Sequence, residues 1–321
     1  MKISTIFGTV VVAGVALAAT ALPASADLVT RCIGTGGAVT VPGDLVVPAG
    51  ESCTLTGTTV EGKVRVNAGA DLVVIDATFN GAVVVAPDAY FDATTSAVSG
   101  TVTSRGFGIY LDRSTVGEHV RGRAAADASS FTYLYNSSVA GQVDARSGEL
   151  LVDSSQVMGP VRGLGTVFVD IKNSTLSNTL VAKNNAEGAT VCASEVDRNA
   201  QFTGNAGVQI GEGDLLSSCT EGVNYFGANV EISNNSVGVS MSNNIVRGDL
   251  SGTGNDPAPV GENNRVRGTS TGQFADLEAA PQAMARRMAV PADRAEDARA
   301  TVEQRRAAAV EQATAAGPAQ L

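Results

Sequence analysis

The stretch Val60-Glu61-Gly62-Lys63-Val64-Arg65-Val66 returns as Phe79-Asn80-Gly81-Ala82-Val83-Val84-Val85 and again as Val98-Ser99-Gly100-Thr101-Val102-Thr103-Ser104. An apolar anchor is followed by Gly at +2 and by an apolar residue at +4. The pattern recurs at Val139-Gly141-Val143, Val157-Gly159-Val161 and Val246-Gly248-Leu250, with weaker copies starting at Val116, Leu176, Val196 and Val266. Anchors from Val60 to Val196 lie 18 to 23 residues apart. A repeat this short, built on β-branched alternation with no helical period, predicts one coil of a solenoid per copy.

Side chains alternate across a strand, so the anchor and offsets +4 and +6 face inward while +3, +5 and +7 face outward. Val64, Val83, Val102, Val120, Val143 and Val161 are therefore expected in one inward column. A second apolar stretch closes each coil, as in Leu72-Val73-Val74-Ile75, Ile109-Tyr110-Leu111 and Leu150-Leu151-Val152. Asp or Asn precedes the anchors at Asp76, Asp112, Asn136, Asp153, Asn173, Asn234, Asn243 and Asn263. These residues suit left-handed turns, and stacked Asn side chains can bond from coil to coil. The Gly at +2 is expected to supply a positive φ. Residues 40–275 make about twelve coils, roughly 55–60 Å long at ~4.8 Å per step, and parallel connection predicts a right-handed β-helix. The fold class is all-β, with an Ala-rich helical tail.

The ends read differently. Lys2, the apolar run Ile6–Ala19 and Ala24-Ser25-Ala26 have the layout of an export signal over residues 1–26, leaving Asp27 first. The β-helix domain is expected over 27–275 and the tail over 276–321. Residues 278–289 and 291–316 are rich in Ala, Glu, Gln and Arg, with Gly317-Pro318 as a stop. Val302 and Val310 are almost its only large apolar residues, so a mobile or loosely docked helix is expected. Covering the open C-terminal edge of the solenoid is the alternative.

Loss of Lys2 leaves 21 basic against 32 acidic residues, a net charge of −11, which argues against general nucleic-acid binding. Beyond the leader no run is apolar and long enough to span a membrane. Four cysteines in an exported chain should pair, and three connectivities are possible. Separations of 21 and 27 residues, about one coil each, favour Cys32–Cys53 and Cys192–Cys219 as staples of neighbouring coils. With one His and no CxxC, no metal or cofactor is implied.

Two segments carry a resemblance. Asp44–Val66 is similar to the first coils of exported actinobacterial right-handed parallel β-helix repeat proteins, and Gly254–Gly268 resembles their closing coil. The likeness covers about 28–273. It implies a secreted protein, extracellular or loosely held at the envelope, and brings no catalytic residues. Relatives of that kind often close with Cys after a Gly-Gln pair; here Gly272-Gln273 is followed by Phe274, which argues against a terminal disulfide and for local pairing.

Pectate-lyase and polygalacturonase types share the fold class, but fold does not give function. The sequence lacks their paired-Asp, Gly-His-Gly and Asp-His motifs, and Trp is absent. A polysaccharide lyase or glycoside hydrolase with a divergent site is the alternative. One outward feature stands above background. Arg105, Arg121, Arg123, Arg146, Arg162 and Lys183 fall at +5 and +7 of neighbouring coils, joined by His119 at +3 and interrupted by Asp144. Like charges stacked about 5 Å apart are unfavourable unless compensated. The strip is expected either to bind an anionic polysaccharide or cell-wall polymer, or to pair locally with acids such as Glu118 and Asp144. The first gives a non-enzymatic structural or binding protein of the envelope; oligomeric state is open.

Overall fold

A computed structural model describes residues 29–123, 130–220, 222–279 and 294–321. Each coil runs through three short strands. Thr59–Val60 belongs to a twelve-stranded sheet, Val64–Val66 to a thirteen-stranded sheet and Asp71–Ile75 to an eleven-stranded sheet. These are called here the third, first and second sheets. Every sheet pairs its strands in parallel from coil to coil, so the chain is a parallel β-helix of about twelve turns. Twelve steps of the first sheet at about 4.8 Å give a rod about 58 Å long.

The core is a set of columns. Val64, Val83, Val102, Val120, Val143 and Val161 stand in direct register and are fully buried. The anchors Val60, Phe79, Val98, Val116, Val139 and Val157 make a second column in the third sheet. That column passes through Val196 to Phe226, an anchor the repeat conceals because Gly227 stands at +1. Between them the chain makes an excursion whose Gly213 and Cys219 pair in antiparallel fashion.

The +2 glycines are needed for a different reason from the one expected. Gly62, Gly81, Gly100, Gly141, Gly159 and Gly248 do not have positive φ. They stack in a column where backbones meet: a Cβ on Gly159 would lie 2.5 Å from the Gly141 carbonyl carbon. Left-handed backbone occurs instead at the turns, with φ of 53° at Asp76, 48° at Asn136 and Asn173, and 58° at Asn243 and Asn263. In two coils it falls one residue later, at Arg113 and Ser154 rather than Asp112 and Asp153.

The coil-to-coil ladder belongs to the buried residues that follow those turns. The amides of Ser96, Ser114, Ser137, Ser155 and Ser174 each donate to the hydroxyl of the next coil, at 3.0–3.1 Å. Asn224 Nδ2 continues to Asn244 Oδ1 at 2.9 Å. At another corner Asn185, Asn205, Asn235 and Asn255 repeat the device. A buried amide without a partner would cost about 1–3 kcal/mol, so the ladders let polar corners stay inside the coil.

Both disulfides are present. Cys32–Cys53 joins neighbouring coils, with Cα atoms 5.7 Å apart. Cys192–Cys219 ties the excursion to the second sheet rather than stapling one regular coil to the next. At the C-terminal end Phe274 is buried in the core, facing Gly252.

The tail departs from the loose docking expected. Helix α1 (Arg294–Ala316) lies along the outer face of the second sheet, from the strand Phe168–Lys172 back to Gly34–Gly36. That path crosses eight strands, or seven steps of about 4.8 Å; 23 residues at 1.5 Å rise match it at about 34 Å. The chain end then pairs with the N-terminal edge: Thr35 N donates to Gly317 O at 2.9 Å and Ala319 N to Thr35 O at 2.8 Å. The tail thus protects the N-terminal edge, opposite to the C-terminal edge named as the alternative to loose docking. Residues 280–293, part of the other expected helix, and the export signal lie outside the described residues.

Candidate functional site

The outer face of the first sheet carries the cations found in the sequence. Arg121, Asp144 and Arg162 are successive partners in one outward column. Arg105, Arg123 and Arg146 occupy the next outward position of three adjacent coils, their amides bonded to Val85 O, Ser104 O and Gly122 O at 2.8–3.0 Å. Leu164 interrupts that column before Lys183, its register partner. Six cations therefore share one continuous face.

Their environments differ. Asp144 is only 2% exposed, and its Oδ2 accepts from Arg123 Nη1 at 3.1 Å and from Arg146 Nε at 3.2 Å. Its Oδ1 and the Nε of Arg121, on directly opposed residues, are buried without hydrogen-bond partners among the described residues. Arg105, Arg121, Arg162 and Lys183 make no ion pair among the described residues. Glu118 accepts from Thr101 Oγ1 at 2.7 Å instead of neutralising an arginine. His119 is half-buried, and its Nδ1 accepts from the Gln142 amide at 3.0 Å. That bond gives His119 a positioning role between coils and leaves the arginines as the groups turned to solvent.

The second sheet holds a cluster that sequence reasoning missed. Its outward columns place Tyr90, Tyr110, Phe131, Tyr133, Tyr135 and Phe168 beside Asp71, Asp92, Glu149 and Asp170. Four of the five tyrosines of the chain lie here. The available signal was parity: these rings occupy the outward positions of the strands that close each coil. The four arginines of α1 read this face. Arg306 makes a two-pronged contact with fully buried Asp92, at 2.7 and 2.9 Å, with its guanidinium 4.9 Å from the Tyr110 ring centroid. Arg305 pairs with Asp71 at 2.9 Å and lies 5.0 Å from the Phe107 centroid. Arg294 pairs with Asp170 at 3.3 Å and lies over Phe168, while Arg299 lies over Tyr135. Ala298, Val302, Ala309 and Ala313 supply the buried apolar contacts of the helix.

Burial pushes the carboxyls of Asp71, Asp92, Glu149 and Asp170 above the usual range, against the opposing pull of hydrogen bonds and arginine. Raised carboxyls in a cleft would be candidates for acid catalysis. Asp71, Asp92 and Asp170 lie under α1 in ion pairs with its arginines, and Glu149 accepts from the Tyr133 hydroxyl, so packing accounts for them. A depression of about 390 Å³ farther along the first sheet is lined by Thr179, Val181, Asn199, Gln201 and Glu231, which offer one carboxylate and no base opposite it. Among the described residues no group of His, Cys, Asp and Glu could hold a metal ion, and no helix is long and apolar enough to cross a membrane. No protein family model, curated protein or solved structure matches this chain.

Proposed function

We propose that this protein is a non-catalytic binding scaffold of the cell envelope, whose first-sheet face takes an anionic polysaccharide or wall polymer. The observation that carries this reading is the strip itself: six cations in adjacent coils against one buried carboxylate, on a chain with ten more negative than positive charges. Coils about 4.8 Å apart offer a polymer of regularly spaced phosphates or carboxylates a matching row of guanidinium donors. The two disulfides support an oxidising compartment, as export requires. A lyase or hydrolase would need a convergent acid and base in a cleft, and among the described residues the depression along the first sheet offers one carboxylate and no base opposite it.

The test is retention of the protein on immobilised polygalacturonate and on a teichoic-acid-bearing wall preparation. The triple change Arg105→Gln, Arg121→Gln, Arg162→Gln removes cations that hold no ion pair among the described residues, and is expected to cut retention at least tenfold. Equal retention of wild type and variant would refute the strip as the site.

A further inference from the structure

The face under α1 recognises guanidinium groups more specifically than a simple helix rest requires. Arg294, Arg305 and Arg306 each meet a carboxylate on one side and an aromatic ring on the other, and Arg299 meets a ring. Planar, delocalised guanidinium suits both contacts at once; a lysine ammonium suits them less well. The buried apolar groups of the helix are three alanines near the sheet, Ala298, Ala309 and Ala313, and Val302, so most of its polar hold comes from these four side chains, from Gln312 on Ser52 and Gly50 O, and from the pairing of the chain end with Thr35. A helix polar around most of its surface is marginal alone in water.

The geometry points to a docking surface that is filled in cis by α1 and accepts α1 of a second copy in trans. Charge complementarity identifies the occupant, because the acidic and aromatic groups of the face match this segment arginine by arginine. Chain length permits the exchange. The last solenoid bridge, at Glu278, lies five coil steps from Asp170 through Val260, Ser240, Gln209 and Thr190, about 24 Å along the rod. Fourteen residues, 280–293, join Ala279 to Arg294 and can extend to about 50 Å. That is about twice what the docked position needs. When α1 leaves, Tyr90, Phe131, Tyr133 and Tyr135 lose their apolar cover and Phe168 loses Arg294, and a bare aromatic patch of this kind favours a new partner. The same exchange would bring Gly317–Ala319 to the other copy's open strand edge at Thr35.

Two experiments decide it. A protease site placed within 280–293 is cut in the folded chain, and a fluorescent peptide of residues 294–321 is added in excess. The peptide is expected to replace the released helix at one per solenoid, and a peptide with its four arginines changed to lysine to bind at least tenfold more weakly. No incorporation, or equal binding of the lysine peptide, overturns the proposal. Separately, a full chain with Arg294→Ala, Arg299→Ala, Arg305→Ala and Arg306→Ala is mixed with one carrying Asp71→Asn, Asp92→Asn and Asp170→Asn. The first keeps the face and the second keeps the helix, so the mixture is expected to contain a 1:1 heterodimer by sedimentation. Two monomers with intact β-sheet circular dichroism would overturn docking in trans, and the peptide exchange decides it if either variant fails to fold. Neither experiment involves the first-sheet strip, so its outcome is separate from that of polymer binding.

Discussion

On the first sheet, Arg123 and Arg146 converge on one carboxylate, Asp144, while Arg105, Arg121, Arg162 and Lys183 make no ion pair among the described residues. On the second sheet, Asp71, Asp92 and Asp170 each hold an arginine of α1, with the carboxylates buried beneath the helix. The two faces use the same guanidinium–carboxylate chemistry on the same backbone lattice. One has excess cations and is open; the other has excess acids and rings and is closed by the chain's own tail. The difference lies in what each pair holds: Asp144 and Asp92 are both buried and Arg123 and Arg306 are about equally exposed, but the first pair joins neighbouring coils and the second fixes a helix. Removing one member of a pair whose other charge stays buried costs about 3–5 kcal/mol.

The largest effect should therefore come from Arg306→Ala. Asp92 is fully buried and would lose both prongs of its partner. The expected loss is about 3 kcal/mol, limited by the free energy of helix docking because release returns Asp92 to water. Limited proteolysis should show cleavage within α1 while the solenoid remains intact. A tail as resistant as wild type would mean that the aromatic and apolar contacts hold the helix and the ion pair does not.

Much of this contrast lay outside what a linear reading could give. The repeat specified the solenoid because one column of valines fixes the strand register: Val64 to Val161 stack as spacing requires. The first-sheet strip was legible for the same reason, since offsets +5 and +7 map directly onto adjacent coils. Gly62 and Gly81 were recognised as obligatory but for the wrong cause, because close approach between coils is a three-dimensional property. The coil at Phe226 escaped through a one-residue shift of its glycine. The closed face escaped because hydrophobicity was the wrong measure of α1. Its partners are acids and rings whose shared face becomes visible only once the second-sheet register is known.

A pH series separates the two forces on the closed face. Burial raises the carboxyls of Asp71, Asp92, Glu149 and Asp170, so the folded chain binds protons more tightly there than the unfolded chain. Between the ordinary carboxylate values, about 4, and the raised ones, the folded state holds more protons, and its stability falls as pH rises through that window. The urea midpoint should be higher near pH 4 than near pH 7 as far as these groups decide it. A midpoint that climbs steadily over that range would show that arginine pairing outweighs desolvation.

Asp144→Asn probes the open face, with a smaller expected cost of about 1 kcal/mol because Asn keeps an acceptor oxygen for the two arginines and leaves no buried charge without a partner. The change also removes the single negative charge within the strip. Retention on polygalacturonate should rise as thermal stability falls slightly. Opposite movement of the two readouts distinguishes a binding face from a structural network, in which removing a partner would lower both.

The smallest effect is expected from salt on the closed face. Raising sodium chloride from 0.05 to 1 M shortens the screening length from well over 10 Å to about 3 Å. Polymer on the exposed strip should be released, since salt screens its contacts with cations that face solvent, such as Arg105 and Lys183. Docking of α1 should change by less than about 0.5 kcal/mol, because Asp92 and Asp170 are fully buried and hold their arginines in direct contact. Protease resistance of the tail across the salt series, measured beside polymer retention, gives both numbers on one sample. If the tail loosens in step with polymer release, water and ions reach the helix–sheet interface, and the two faces differ only in which partner occupies them.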